Sequence, residues 1–307
     1  MTEANDNTGR LVGVEFTGSR LRAACLDADG NTIDSHESPI NRYSDIAPQL
    51  ASFINDLTGK FGDFESFGIT VPGLIDRETK RVAFSTYFPE HENIDLVGEL
   101  AALTNRKIFI ENDANAAAYG EYNVGAGRGS RDMFYVTLGK GVGGALIFDG
   151  KIWRGASGFA GEFGHVAINS DGMKLEDAAS AANIVRRTRM RFHQDHTSSL
   201  GSIGEDEIGL ADVVKAAKSG DDFAQMMLQR TGSYVGVAIA GVINLLNVEK
   251  IVIGGAIMHA EALVLDSIIN RARELSFEPS FNSTQILSGE LGENASAVGA
   301  ALLSARL

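Results

Sequence analysis

At 307 residues the chain is long enough for two ordinary domains, and no run approaches the ~18 consecutive apolar residues of a membrane helix. Its formal net charge of −13, from 27 basic and 40 acidic residues, gives a surface that repels nucleic acid and anionic membranes. The single cysteine, Cys25, excludes an internal disulfide and a multi-cysteine metal site, and the polar N-terminus lacks the basic and apolar regions of a signal peptide, so a cytoplasmic protein is expected.

In chain order, Leu11–Phe16 reads as a strand. Thr17-Gly18-Ser19 follows as a short loop, Arg20–Leu26 as a second strand, and Asp29-Gly30 as a hairpin turn. Residues 44–59 carry Ile46, Leu50, Phe53, Ile54 and Leu57 at helical spacing, with Ser44 or Asp45 as the cap. An apolar strand at 67–71 ends in Pro72-Gly73, residues 95–104 form a short helix, and 107–110 a strand. The Ala-rich stretch 114–122 is helical. Met133–Leu138, Gly139-Lys140-Gly141, Val142–Phe148 and Asp149-Gly150 then repeat the opening plan of strand, small-residue turn, strand and Asp-Gly. This is either an internal duplication or chance likeness between two hairpins. Helices are predicted at 175–190, Leu210–Lys218, 221–247 and 260–275. A buried-type strand at 251–253 ends in Gly254-Gly255. The sum is alternating α/β in two halves, which no low-complexity linker separates, so they are expected to pack closely around a cleft.

Four segments carry candidate chemistry. The first turn exposes backbone N–H groups and two hydroxyls, Thr17 and Ser19, suited to a phosphate, although taken alone it reads better as an ordinary hairpin turn. Gly139-Lys140-Gly141-Val142-Gly143-Gly144 formally matches G-x-G-x-x-G, but a strand follows it where a dinucleotide fingerprint needs a helix. The chain also lacks the catalytic signatures of protein kinases and the P-loop. A glycine hairpin with Lys140 at its tip survives, suited to β- and γ-phosphate oxygens or simply solvated. At the strand-to-helix junction Glu111-Asn112-Asp113-Ala114-Asn115, Asp113 reads either as a helix cap or as the acceptor of a hydroxyl proton in phosphoryl transfer. Gly161-Glu162-Phe163-Gly164-His165 precedes a strand-like Val166-Ala167-Ile168. It offers a carboxylate and an imidazole, of the kind that grips vicinal hydroxyls. His193 and His196 have the spacing of a metal pair but lie in a polar run without a third ligand.

Together these segments resemble the ROK family (repressors, open reading frames and sugar kinases) of the actin/hexokinase superfamily. The likeness runs from about residue 11 to 307. It is carried by Val71-Pro72-Gly73, Ile110-Glu111-Asn112-Asp113-Ala114-Asn115-Ala116-Ala117, the Thr137-to-Gly144 loop, Gly158-Phe159-Ala160-Gly161-Glu162-Phe163-Gly164-His165 and Ile251-Val252-Ile253-Gly254-Gly255. The resemblance implies two related actin-like (ribonuclease H-like) ATPase domains around a cleft, 1–115 plus 294–307 and 116–293, with the last helix returning to the first domain. It implies ATP-dependent phosphorylation of a hexose, with glucose as the default and a sugar sensor without kinase activity as the alternative. Asp113 is then the general base, and Gly73, Asn112, Asp113, Glu162, His165 and Glu176 hold the sugar. Thr17, Gly18, Ser19 and Arg20, with Gly139, Lys140 and Gly141, face the phosphates and Mg²⁺, while Gly254 and Gly255 approach the adenosine. A homodimer is implied.

The departures are specific. The family's first loop reads Asp-hydrophobic-Gly-Gly-Thr, where this chain has Glu15-Phe16-Thr17-Gly18-Ser19. Glu15 keeps the charge on a side chain one methylene longer. Lys140 replaces a usual Thr, and Tyr87 stands where a sugar-contacting Asn is usual. Most members follow the Gly-His with a cysteine-rich zinc loop, whereas the short path from His165 to Glu176 contains no Cys. No zinc is therefore expected, and His165 is released to the sugar or to Glu162. The residues before the first glycine loop are too few for the helix-turn-helix of the family's repressors, so no nucleic-acid partner is expected.

Overall fold

The computed structural model describes residues 9–41, 44–76, 78–85, 94–192 and 197–306. They form two compact units. The first comprises Met1–Arg128, Ile152–Ala160 and Glu293–Leu307, and the second Gly129–Lys151 and Gly161–Gly292.

The first unit opens with three antiparallel strands, β1 (Leu11–Phe16), β2 (Arg20–Leu26) and β3 (Thr32–Pro39). Helix α1 (Ile46–Phe61) leads to β4 (Ser66–Val71). The short pair β5 (Leu74–Ile75) and β6 (Val82–Phe84) follows, then α2 (Leu96–Thr104), β7 (Lys107–Asn112) and α3 (Asp113–Val124). The sheet order is β3-β2-β1-β4-β7, with β1, β4 and β7 parallel. Val12, Val14 and Phe16 of β1 point to one face, where Leu50, Ile54 and Leu57 of α1 bury them. On the other face lies α10 (Ala295–Ser304), against β1, β4 and α3. The approach is backbone to backbone. A Cβ on Gly13 would stand 1.9 Å from the Ala297 carbonyl, and one on Gly68 would stand 2.0 Å from that of Ala300. Only hydrogen fits there.

The second unit repeats the plan with β8 (Met133–Leu138), β9 (Val142–Phe148), β10 (Lys151–Trp153), β11 (Lys250–Gly254) and β12 (Gln285–Ser288), in the order β10-β9-β8-β11-β12. Its helices are α4 (Leu175–Ala179), α5 (Ala181–Arg189), α6 (Leu210–Lys218), α7 (Asp222–Leu246), α8 (Ala262–Leu275) and α9 (Glu278–Asn282). The long α7 lies along α8. Both sheets thus start from an antiparallel hairpin whose first strand pairs on its other side with a parallel strand, which favours the duplication reading of the two openings. No described helix is long and apolar enough to cross a membrane.

Three expectations need correction. The helix expected over 175–190 is two helices, broken at Ser180, whose backbone is extended (φ −72°, ψ 153°). Val166-Ala167-Ile168 is no strand, since only Ala167 bridges, to Lys174, closing a tight loop. The helix expected over 260–275 starts at Ala262, after a 3-10 turn over Ala256–Ala260.

Candidate functional site

In the first unit the chemistry gathers where β7 runs into α3. The cap of α3 is Asn112, whose side-chain oxygen accepts the Asn115 N–H at 3.0 Å. Asp113, read from the sequence as a possible cap, is instead the first helical residue. Its Oδ1 accepts the Ala114 N–H and an Asn112 amide hydrogen, both at 3.0 Å. The same Asn112 amide nitrogen donates to the Gly73 carbonyl at 2.9 Å. Gly73, Asn112 and Asp113 are therefore brought together. Beneath them, Glu111 is buried and accepts from Asn115 Nδ2 and its neighbour's backbone N–H, and it forms an ion pair with Arg154.

Glu111 ends a polar row that crosses β2, β1, β4 and β7 in register, Arg22, Glu15, Thr70 and Glu111. The Thr70 hydroxyl is 2.8 Å from that of Ser296 on α10. Arg22 lies 3.2 Å from the Glu15 carboxylate and also donates to the Glu293 carbonyl and carboxylate. Burial pushes the Glu15 carboxyl up to about 7; Arg22 opposes this, while Asp113 and Glu293 add to it. The nearby first turn is closed on itself. The Thr17 N–H and hydroxyl both donate to the Arg20 carbonyl, and the Arg20 N–H donates back to the hydroxyl. Gly18 has φ 82°, and the Arg20 guanidinium is turned to Glu37 at 2.7 Å.

In the second unit Glu162, His165 and Glu176 share one electrostatic neighbourhood. The Glu162 carboxyl is raised, first by partial burial and then by the like charge of Glu176, with His165 opposing. Lys174 Nζ lies 3.2 Å from His165 Nδ1. An ammonium has no lone pair, so it donates, Nδ1 accepts, and the ring hydrogen sits on Nε2. Gly161–His165 rests directly on β9: a Cβ on Gly161, whose φ is 103°, would stand 2.3 Å from the Gly144 carbonyl. Gly144 of the glycine-rich run therefore serves close packing. The turn itself, Gly139-Lys140-Gly141, closes through a 3.0 Å bond from the Gly139 N–H to the Gly141 carbonyl. It is held from outside at two points. Glu176 Oε2 accepts the Val142 N–H at 2.9 Å, and the Ala181 N–H donates to the Gly139 carbonyl at 2.8 Å. Gly254 and Gly255 lie behind it, Gly254 against the Tyr135 hydroxyl and Gly255 against the backbone of Leu138.

Sequence reasoning missed Arg22, Arg154, Lys174 and Ala181. Only Glu111 left a signal, as a charge in an apolar strand next to Asn112. Tyr87, His193 and His196 lie outside the described residues. Among the described residues no group of three or more His, Cys, Asp or Glu side chains is placed to hold a metal ion.

The comparisons with known proteins converge. The chain is 32% identical over 307 residues to a glucokinase of Thermotoga maritima, covering 95% of this chain and 96% of that one. It is 28% identical over 303 residues to the xylose repressor of Bacillus subtilis, covering 96% of this chain and 77% of that one. The solved structure of a ROK family glucokinase from Streptomyces griseus, in complex with glucose and AMPPNP, superposes with a TM-score of 0.86 at 28% identity. That match covers 97% of this chain and 100% of the other. The fold is therefore the actin-like α/β fold of the ROK sugar kinases. The family model described as ROK family matches residues 11–306, and with the junction, turns and loop all lying inside that span, the chain belongs to the ROK family.

Proposed function

We propose that the chain is an ATP-dependent sugar kinase that phosphorylates a hexose hydroxyl, with Asp113 as the general base. The observation that carries this reading is the division of labour at the β7–α3 junction. Asn112 caps the helix, and the Asp113 carboxylate is oriented by the Asn112 amide and the Ala114 N–H beside the Gly73 carbonyl. The Asp113 carboxylate takes the proton of the substrate hydroxyl as its oxygen attacks the γ-phosphorus. The bond to the β-phosphate oxygen breaks, and ADP leaves. Asn112, Glu162, His165 and Glu176 orient the sugar. The Nε2–H tautomer makes His165 a donor to a sugar oxygen, while Glu162 and Glu176 accept from hydroxyls. Mg²⁺ arrives with the nucleotide. Backbone N–H groups of the two turns, together with Lys140, spread the charge of the transferring phosphoryl group. Support comes from the glucokinase relatives. The protein acts in the cytoplasm as a homodimer, and it carries no zinc because the path from His165 to Glu176 contains no Cys to hold one.

Asp113→Asn keeps the shape and removes the base. Phosphotransfer should fall about 10²–10⁴-fold, with sugar affinity unchanged by calorimetry. The assay is a panel of hexoses, N-acetylhexosamines and ketoses, each with ATP and with polyphosphate. Normal turnover by the variant would refute the assignment. The first turn favours a second reading, a sugar sensor without kinase activity. The Thr17 hydroxyl is spent on Arg20, and xylose repressors are among the relatives. A wild-type chain that binds sugar and never turns over ATP would establish that reading instead.

A further inference from the structure

The interruption of the α4–α5 helix is not forced by Gly or Pro: residues 177–182 read Asp-Ala-Ala-Ser-Ala-Ala, with Ser180, a residue favoured at helix starts, at the N-cap of α5. What matters is what the break holds. In a continuous helix the Ala181 N–H would bond the carbonyl four residues back. Here it leaves the helix and donates to the Gly139 carbonyl at 2.8 Å. The break is buttressed: Ser180 is buried, and Asn183 Nδ2 donates across it to the Glu176 carbonyl at 3.1 Å and to the Ser180 hydroxyl at 2.9 Å. One turn earlier, Glu176 Oε2 accepts the Val142 N–H at 2.9 Å. The second glycine turn is therefore clasped on both flanks, at Gly139 and at Val142, by a single short segment.

We infer that the broken helix 175–189 is a coupling element, through which a sugar engaged by the Glu176 carboxylate raises the affinity of the Gly139–Gly141 turn for nucleotide. The inference rests on the reading of Glu176 as a sugar ligand and of this turn as a phosphate cradle. Hydroxyls bonded to Glu176 fix its rotamer and, through Oε2, the Val142 N–H. Ser180 and Ala181, tied to the same segment by Asn183, fix the Gly139 carbonyl. A turn already ordered by sugar loses less conformational entropy when the nucleotide arrives, so the coupling is positive. By linkage it is reciprocal.

Ala181→Pro isolates the device. Position 181 opens α5, where proline is tolerated, and Ser180 already has the extended backbone that a residue before proline adopts. The variant removes the N–H that holds Gly139 and leaves Glu162, His165 and Glu176 in place. Mg·AMPPNP is titrated into both proteins by calorimetry, without and with saturating glucose. Glucose should tighten nucleotide binding to the wild type about 5-fold or more. In Ala181→Pro that ratio should fall to about 1, with glucose affinity alone held within about 2-fold. A second readout needs neither ligand nor that variant. In Glu176→Ala the Val142 amide should exchange its hydrogen about 2–10-fold faster than in the wild type, as expected for one lost hydrogen bond. If both proteins bind both ligands with the same ratio, or Val142 exchange is unmoved, the coupling role is overturned and the kinase reading stands. If the wild type binds neither glucose nor Mg·AMPPNP, both readings fall.

Discussion

Glu15 shows burial outweighing a direct ion pair. Its carboxylate sits 3.2 Å from Arg22, yet its pKa is lifted from 4.5 to about 7. Desolvation acts on a side chain enclosed under α10, and the neighbouring Asp113 and Glu293 share its sign. Because the folded value lies above the unfolded one, the native chain holds this proton more tightly than the denatured chain does. The associated stability is complete below the unfolded value and is lost as pH rises through the folded one. Glu15→Gln mimics the protonated form at every pH. Between about pH 5 and about pH 8 the wild type should therefore lose roughly 2–3 kcal/mol relative to the variant, read as diverging melting temperatures by calorimetry. Parallel curves would show that Glu15 is ionised throughout. At this scale the sequence was readable in type but not in role. Asn112 and Asp113 are both good caps, and only the backbone bond from Asn115 assigns the duty. Arg22 and Arg154 gave no sign of their importance, because their partners come from elsewhere in the chain: Glu293 for one, Glu111 for the other.

Strands and turns were legible as elements wherever local patterning decided them. Val, Ile and Phe runs bounded by glycines became β1, β4, β8, β9 and β11. The failures occurred where a tertiary contact overruled local preference. The 175–190 run breaks at Ser180, where the Ala181 N–H turns to the Gly139 carbonyl, and Val166-Ala167-Ile168 pairs only through Ala167 as the chain turns back to Lys174. The G-x-G-x-x-G match likewise concealed two jobs, a turn at Gly139–Gly141 and a packing surface at Gly144. The second job gives a direct test. Gly161→Ala forces a side chain into a left-handed backbone and toward the Gly144 carbonyl. It should cost about 1–3 kcal/mol of stability in urea titrations. It should also weaken sugar binding through Glu162, whereas an unchanged midpoint would mean the loop can move off β9.

At the scale of the whole molecule, the repeated strand order β3-β2-β1-β4-β7 and β10-β9-β8-β11-β12 organises everything else. What distinguishes the first unit is its dependence on α10, seated on Gly13 and Gly68 with no room for a side chain. Gly13→Val should destabilise that unit by about 3 kcal/mol or more. Far-UV circular dichroism should report this as a lowered denaturant midpoint. An unchanged midpoint would show that α10 is dispensable. The arrangement also dictates an order of events during synthesis. β1 leaves the ribosome first but waits for residues 295–304 before its α10-facing side is covered, whereas every piece of the second unit has by then been made. A nascent chain stalled before α10 therefore carries one finished unit and one whose Gly13–Gly68 groove and Glu15–Thr70 polar row still stand open to water.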